Sequence, residues 1–220
     1  LLCGDAAPEA RVCGPCRRDL PWVGEACPTC ALPSPRGLPC GSCQRRPPPV
    51  ERAYAPLLYR EPLRLVVSRA KFHSDLAHGF LLGELLAGFL AEHPDPAWRR
   101  VDTLVPVPLA PGRLRARGYN QALEVAEVLA GNLGMGLDAA ACGRLRETAP
   151  QSTLGHRRAR ERNLRRAFRA HPDRVRGRRV AVVDDVVTTG VTVFTLAEAL
   201  GRAGARSVQV WAPVRAEAPG

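Results

Sequence analysis

From Arg179 to Thr192 the chain reads Arg-Val-Ala-Val-Val-Asp-Asp-Val-Val-Thr-Thr-Gly-Val-Thr, and this order of residue types leaves few folds open. Val180–Val183 is a run of four apolar residues, the pattern of a buried strand. It delivers two carboxylates, Asp184 and Asp185, to the rim of a sheet. Thr188, Thr189, Gly190 and Thr192 follow, and a helix is expected over Thr192–Ala203. Amides at a helix start bind phosphate, helped by the helix dipole and by neighbouring hydroxyls. Gly190 lets the backbone approach closely. Adjacent carboxylates accept hydrogen bonds from sugar hydroxyls, or else hold magnesium. The Gly-x-x-x-x-Gly-Lys pattern of a Walker loop is absent, as is a glycine-rich dinucleotide loop. The blander alternative is that the two aspartates only cap the strand and turn.

The flanking sequence fits an α/β domain over residues 51–220. Tyr54–Tyr59 reads as a short strand, and Pro62 sits where a first-turn proline is tolerated, ahead of a helix over Leu63–Phe72. Ser74 and Asp75 are candidate caps for a second helix reaching about Ala91, which Pro94 and Pro96 end. Val101–Val107 reads as a buried strand, Ala122–Asn132 as a helix and Ser207–Ala212 as the last strand. Strands alternating with helices predict a doubly wound, mostly parallel sheet with ligands at the carboxyl ends of its strands.

Ahead of this domain lies a different kind of sequence. Of 8 cysteines, seven fall in the first 43 residues: Cys3, then Cys13-Gly-Pro-Cys16, Cys27-Pro-Thr-Cys30 and Cys40-Gly-Ser-Cys43. A C-x2-C turn points two sulfurs at one centre, and two such pairs complete a tetrahedral site for zinc. Structural zinc is the leading reading, with an iron–sulfur centre or disulfides as the alternatives. Seven ligands imply one zinc with three spare thiols, or two zincs with one ligand missing. A cysteine just before Leu1 would complete a fourth pair. Residues 1–50 hold few large apolar side chains, so metal is expected to supply much of the folding energy. Pro47-Pro48-Pro49 reads as a stiff linker at the boundary.

The formal charge is +11, and Arg144–Arg179 alone contains 13 arginines against Glu147, Glu161 and Asp173. That stretch is either a polyanion-binding face or a plain solvated basic surface. Aromatic residues for base stacking are scarce there, so contact with backbone phosphates is favoured over base reading. Among 31 arginines stands a single lysine, Lys71, which fits a phosphate ligand or a catalytic electrostatic role if it is more than chance retention. No run of 18 apolar residues is present, which argues against a membrane-spanning helix. No secretory signal pattern is visible.

Val182–Thr192 resembles the phosphoribosyl pyrophosphate motif of type I phosphoribosyltransferases, and nearly the whole chain is similar to the competence protein F (ComF) family. The likeness runs through the cysteine pairs, Lys71-Phe72, Val105-Pro-Val-Pro108 and Arg115-Ala-Arg117-Gly-Tyr-Asn-Gln121. It continues through Gln151, Leu154, Arg158, Asn163 and Phe168 to the Asp-Asp…Thr-Thr-Gly loop. The chain departs from the family pattern in lacking the first cysteine of the first pair.

The resemblance implies that Asp184 and Asp185 hold the ribose hydroxyls and that Thr188, Thr189, Gly190 and Thr192 hold the 5′-phosphate. It implies a pyrophosphate site at Pro106–Leu109, with magnesium, and a closing loop at Arg113–Gln121 that carries Arg117. It further implies a cytoplasmic protein beside the membrane DNA-uptake machinery, handling single-stranded DNA and docking a helicase-like DNA translocase. Three classes stay open: a phosphoribosyltransferase of unknown acceptor with Lys71, Asp184 and Asp185 as catalytic groups, a nucleic-acid-handling protein on the same fold, and a regulator that senses the ligand.

Overall fold

The computed structural model describes residue 3 and residues 12–72, 76–145 and 167–217. Ser74, Asp75, Glu147, Gln151, Ser152, Leu154, His156, Arg158, Glu161 and Asn163 lie outside the described residues.

The cysteine head contributes two short helices, α1 (Gly14–Arg18) and α2 (Gly41–Arg45). The chain then forms β1 (Arg52–Tyr54), β2 (Leu57–Leu58), α3 (Leu63–Phe72), α4 (Leu76–Glu92), β3 (Thr103–Pro106), α5 (Pro111–Arg117) and α6 (Gln121–Leu133). After these come β4 (Cys142–Arg144), β5 (Phe168–Ala170), α7 (Pro172–Val175), β6 (Arg179–Val183), β7 (Val186–Val187), α8 (Val191–Arg202), β8 (Ser207–Trp211) and β9 (Val214–Arg215).

Four strands make a parallel sheet in the order β1-β8-β6-β3. Side chains alternate across it, because successive residues of a strand point to opposite faces. Val180 and Val182 of β6 pack with α8, among Val193, Leu196 and Leu200. Ala181 and Val183 pack on the other face with Leu82, Leu86, Val125 and Leu129 of α4 and α6. Both faces of the strand are thus covered, which is why its sequence is continuously apolar rather than alternating. Each fully buried valine contributes roughly 1.5–3 kcal/mol relative to exposure. The expected α/β architecture, with a mostly parallel sheet behind a cysteine-rich head, is therefore the one observed.

Helices α4 and α6 meet through two small residues. A Cβ on Gly83 would lie 2.6 Å from Val128 Cβ, and one on Gly79 would lie 2.4 Å from Glu124 Oε2. The i, i+4 spacing stacks both glycines on one side of α4 against an i, i+4 pair of α6.

Three strands break and resume. β2, β9 and β7 form a second parallel sheet in the order β2-β9-β7, matching the order β1-β8-β6 of the strands they continue. Two of the breaks carry prolines, Pro56 and Pro213, which have no N–H for a ladder. The third carries Asp184 and Asp185. The single strand expected over Tyr54–Tyr59 is therefore two, β1 and β2. The antiparallel pair β4–β5 is an addition that no periodicity announced.

The head sits on the α/β domain. Leu20 and Val12 join the core containing Leu57 and Trp211. Leu58 N–H donates to Pro21 O at 2.8 Å, and Ala53 N–H donates to Pro28 O at 2.8 Å.

Candidate functional site

β6 and β3 are neighbours in register, Pro106 opposite Val183, so both chains leave the same edge of the sheet side by side. From β6 come Asp184 and Asp185, half-buried, then β7 and the hydroxyl loop. Asp184 N–H donates to Trp211 O at 3.1 Å, and Asp184 Oδ1 accepts Asp185 N–H at 3.0 Å. Thr188 is exposed and Thr189 half-buried. Gly190 occupies the N-cap of α8 with φ 77°, in the left-handed region, and no side chain makes a capping hydrogen bond there. A Cβ there would lie 2.3 Å from the ring of Phe194, so any other residue would strain the backbone and displace that ring. Thr192 lies in the first turn of the helix. The loop's backbone thus has the form read from the sequence: carboxylates at a strand end and hydroxyls around a helix N-terminus.

Other expected parts approach the same edge. Asn120 caps α6 by accepting Ala122 N–H at 3.1 Å and donates from Nδ2 to Val107 O at 3.1 Å, which ties the Arg-Gly-Tyr-Asn turn to the end of β3. Gly118 ends α5 with φ 80°. Tyr119 donates from its hydroxyl to Ala70 O, which brings the last turn of α3, where Lys71 falls, against this turn. The Lys71 side chain lies outside what the structure describes. Arg117 donates from Nη1 to Gln121 Oε1 at 3.1 Å, so in this structure its described contact is within the turn.

Two arginines escaped the sequence reading as individuals. Arg144, at the root of the basic stretch, lies over the Phe168 ring at 5.5 Å. Burial lowers its pKa, the charge of Arg113 lowers it further and the charge of Asp184 raises it, so Arg144, Arg113 and Asp184 share one electrostatic neighbourhood. Leu145 N–H donates to Ala167 O at 2.9 Å, so the intervening segment leaves and returns at this point. Arg215, 3% exposed, lies beneath the hydroxyl loop. It donates from Nε to Cys30 O at 2.7 Å, and the two hydrogens of Nη1 are shared among Val187 O at 2.9 Å, Ala216 O at 2.7 Å and Thr188 O. Burial lowers its pKa and the Cys30, Cys40 and Cys43 thiols oppose that. Its position in a strand of only two residues gave no periodic signal.

In the head, the sulfurs of Cys27, Cys30, Cys40 and Cys43 gather within 4.8 Å of one another, and those of Cys3, Cys13 and Cys16 form a second group by the same measure. Cys30 and Cys40 sulfurs stand 3.7 Å apart, and Cys3 and Cys13 sulfurs 3.6 Å. A tetrahedral zinc with Zn–S bonds of about 2.3 Å places its sulfurs about 3.8 Å apart, so both groups fit the metal. The separations are far beyond a disulfide bond. Cys13 and Cys40 each precede a helix, so the second cysteine of each pair falls in the first turn and folds back beside the first. Burial raises the Cys27 thiol, but the Thr29 hydroxyl and the amides of Cys40, Thr29 and Cys30 outweigh it and bring the thiol down to about 6. Burial raises the Cys30 and Cys43 thiols of the same cluster, so of these three Cys27 most readily takes the thiolate form that binds metal. Cys142 is buried in β4, and burial pushes its thiol up to about 12.

These parts define a class: a phosphoribosyltransferase-like α/β domain with a loop of acids, hydroxyls and glycine at the carboxyl edge of its sheet, docked on a two-cluster zinc-binding head. The chain belongs to the competence protein F (ComF) family. Residues 1–44 match the double zinc ribbon domain. Over 203 residues the chain is 39% identical to the DNA utilization protein YhgH of Salmonella typhimurium, covering 91% of this chain and 88% of that one. It is 32% identical to Competence protein F of Haemophilus influenzae over 186 residues, 80% of this chain and 78% of that one. Among solved structures, the glutamine phosphoribosylpyrophosphate amidotransferase of B. subtilis aligns at 23% identity with a TM-score of 0.41, covering 61% of this chain and 25% of that one. The purine phosphoribosyltransferase of Pyrococcus horikoshii aligns at 13% identity with a TM-score of 0.36, covering 62% and 84%. No described helix is long and apolar enough to cross a membrane.

Proposed function

We propose that this protein binds phosphoribosyl pyrophosphate with magnesium at the Asp184–Thr192 loop and acts in natural transformation, in the uptake of single-stranded DNA. The observation that carries the binding claim is the loop itself, with Asp184 and Asp185 at the end of β6 and Gly190 in the left-handed N-cap of α8, where no side chain makes a capping hydrogen bond. In this reading Asp184 and Asp185 accept the ribose hydroxyls. Thr188, Thr189, Gly190 and Thr192 donate to the 5′-phosphate. The Pro106–Leu109 turn takes the magnesium pyrophosphate, with Lys71, in the last turn of α3, and Arg117, in that of α5, assigned as its basic partners. The names of the relatives, DNA utilization and competence proteins, support the biological role.

The chain divides in this proposal into a zinc module, 1–50, and a phosphoribosyltransferase-like domain, 51–220. Cys27, Cys30, Cys40 and Cys43 hold one zinc, and Cys3, Cys13 and Cys16 hold a second. A transferase would work by letting magnesium and basic residues stabilise the departing pyrophosphate. The second reading is a protein that contacts single-stranded DNA or docks a DNA-translocating partner without transfer. It is favoured by the excess of arginine that begins at Arg144 beside Asp184.

Calorimetric titration with phosphoribosyl pyrophosphate and magnesium tests the first reading. Saturable heat that is lost in Asp184→Asn/Asp185→Asn is expected, and absence of heat from the intact protein contradicts it. Single-stranded DNA affinity at two salt concentrations tests the second, since phosphate contacts must weaken steeply with salt.

A further inference from the structure

We infer that Arg215 is a positioning residue that holds the phosphate-binding amides of the hydroxyl loop outward and anchors that loop to the Cys27–Cys30–Cys40–Cys43 zinc site. The inference rests on the proposed ligand site and assigns a residue and a structural dependence that the site's own motif does not contain.

The geometry is specific. A trans peptide holds its N–H opposite its C=O. The carbonyls of Val187 and Thr188 both accept from Arg215 Nη1. The amides that follow them, on Thr188 and Thr189, are therefore turned away from the guanidinium. Neither donates to a backbone carbonyl among the described residues. The Val187 carbonyl is held twice, since it also accepts Ala216 N–H at 2.9 Å across the β7–β9 pair. A loop meant to present amides to an anion must first bury its carbonyls on something, and here a guanidinium does so.

The other end of the same side chain reaches the metal head. Nε donates to Cys30 O at 2.7 Å, the carbonyl of a ligand of the four-sulfur cluster. Phe194, in the first turns of α8 and against Gly190, packs on that cluster too. Four thiolates on one zinc dication carry a net formal charge of about −2. That charge compensates a buried guanidinium for which no carboxylate partner is present among the described ion pairs. Lysine is a poor replacement, because one ammonium cannot span the fork between Cys30 O and Val187 O.

The test uses backbone amide relaxation of the zinc-loaded full chain by NMR, without ligand. In the parent protein, Thr188, Thr189 and Gly190 are expected to be as rigid as the sheet, with order parameters of about 0.85, falling below about 0.6 in Arg215→Lys while β6 and β8 stay unchanged. Loop amides equally ordered in both proteins overturn the inference. If Arg215→Lys does not fold, the parent still decides. The Arg215 Nε–H signal must exchange with water at least 100-fold more slowly than that of an exposed arginine, and must lose that protection when a chelator removes zinc. Fast exchange in the zinc-loaded parent, or protection that survives zinc removal, overturns the anchoring. Phosphoribosyl pyrophosphate titration of both proteins is the separate arm, with about tenfold weaker binding expected in Arg215→Lys. If the parent does not bind that probe, the ligand reading fails while the relaxation result still stands or falls alone.

Discussion

Arg215 Nε donates to Cys30 O at 2.7 Å, and its Nη1 donates to Val187 O at 2.9 Å, so one buried side chain joins the metal head to the loop that leaves β7. The two residues are 185 positions apart in the chain. The head is thus an underlay of the candidate site. Zinc loss and ligand loss are expected to be linked, which a head tethered only by Pro47–Pro49 would not produce.

The close approach of α4 and α6 sets a stability prediction. Gly83→Ala places a methyl 2.6 Å from Val128 Cβ, an atom fixed to its helix backbone, so the helices must separate. A loss of about 1–3 kcal/mol is expected in urea unfolding. Gly79→Ala meets only the carboxylate end of Glu124, which can swing aside, and is expected to cost less. Equal costs at the two positions contradict the packing described.

Glu124 supplies a pH dependence. Burial, and then the charge of Glu127, raise its carboxyl from 4.5 to about 7. Below pH 4.5 the group is protonated in folded and unfolded chains alike, and it has no effect. Between 4.5 and 7 the unfolded chain loses the proton while the folded chain keeps it, so stability falls as pH rises. Above 7 the loss levels off. Glu124→Gln is expected to match the parent at pH 4 and to exceed it by about 1 kcal/mol at pH 8, solvent screening of a half-buried group being counted. A variant that gains at low pH instead reverses the sign and rejects the account.

Much of this architecture was legible in the sequence, for identifiable reasons. Val180–Val183 is apolar on both sides because α8 covers one face and α4 and α6 cover the other. Leu63–Phe72 has helical spacing and forms that helix. The C-x2-C pairs announce their clusters because the turn geometry is local. What stayed hidden depends on distant contacts. Arg215 looked like any of 31 arginines, since its role comes from carbonyls on Cys30, Val187 and Thr188. Which cysteine pairs combine was also open. The structure joins Cys27–Cys30 with Cys40–Cys43 and leaves Cys3 with Cys13–Cys16.

That partition predicts two classes of zinc. The four-sulfur site has three buried ligands, whereas Cys3 is exposed and Cys13 and Cys16 are half-buried. A chelator is expected to remove zinc in two phases, the three-sulfur site first. Cys16→Ser should abolish the fast phase alone, and Cys30→Ser the slow one. A single phase sensitive to both substitutions contradicts two separate sites.

The most direct test of the central claim is an amide NMR titration of the zinc-loaded chain with phosphoribosyl pyrophosphate and magnesium. Saturable shifts are predicted at Asp184–Thr192 and at residues 107–110, absent in Asp184→Asn/Asp185→Asn, whose other signals stay in place. No shift at Thr188–Thr192 in the parent, or equal shifts in the double variant, would contradict a ribose-phosphate site in this loop.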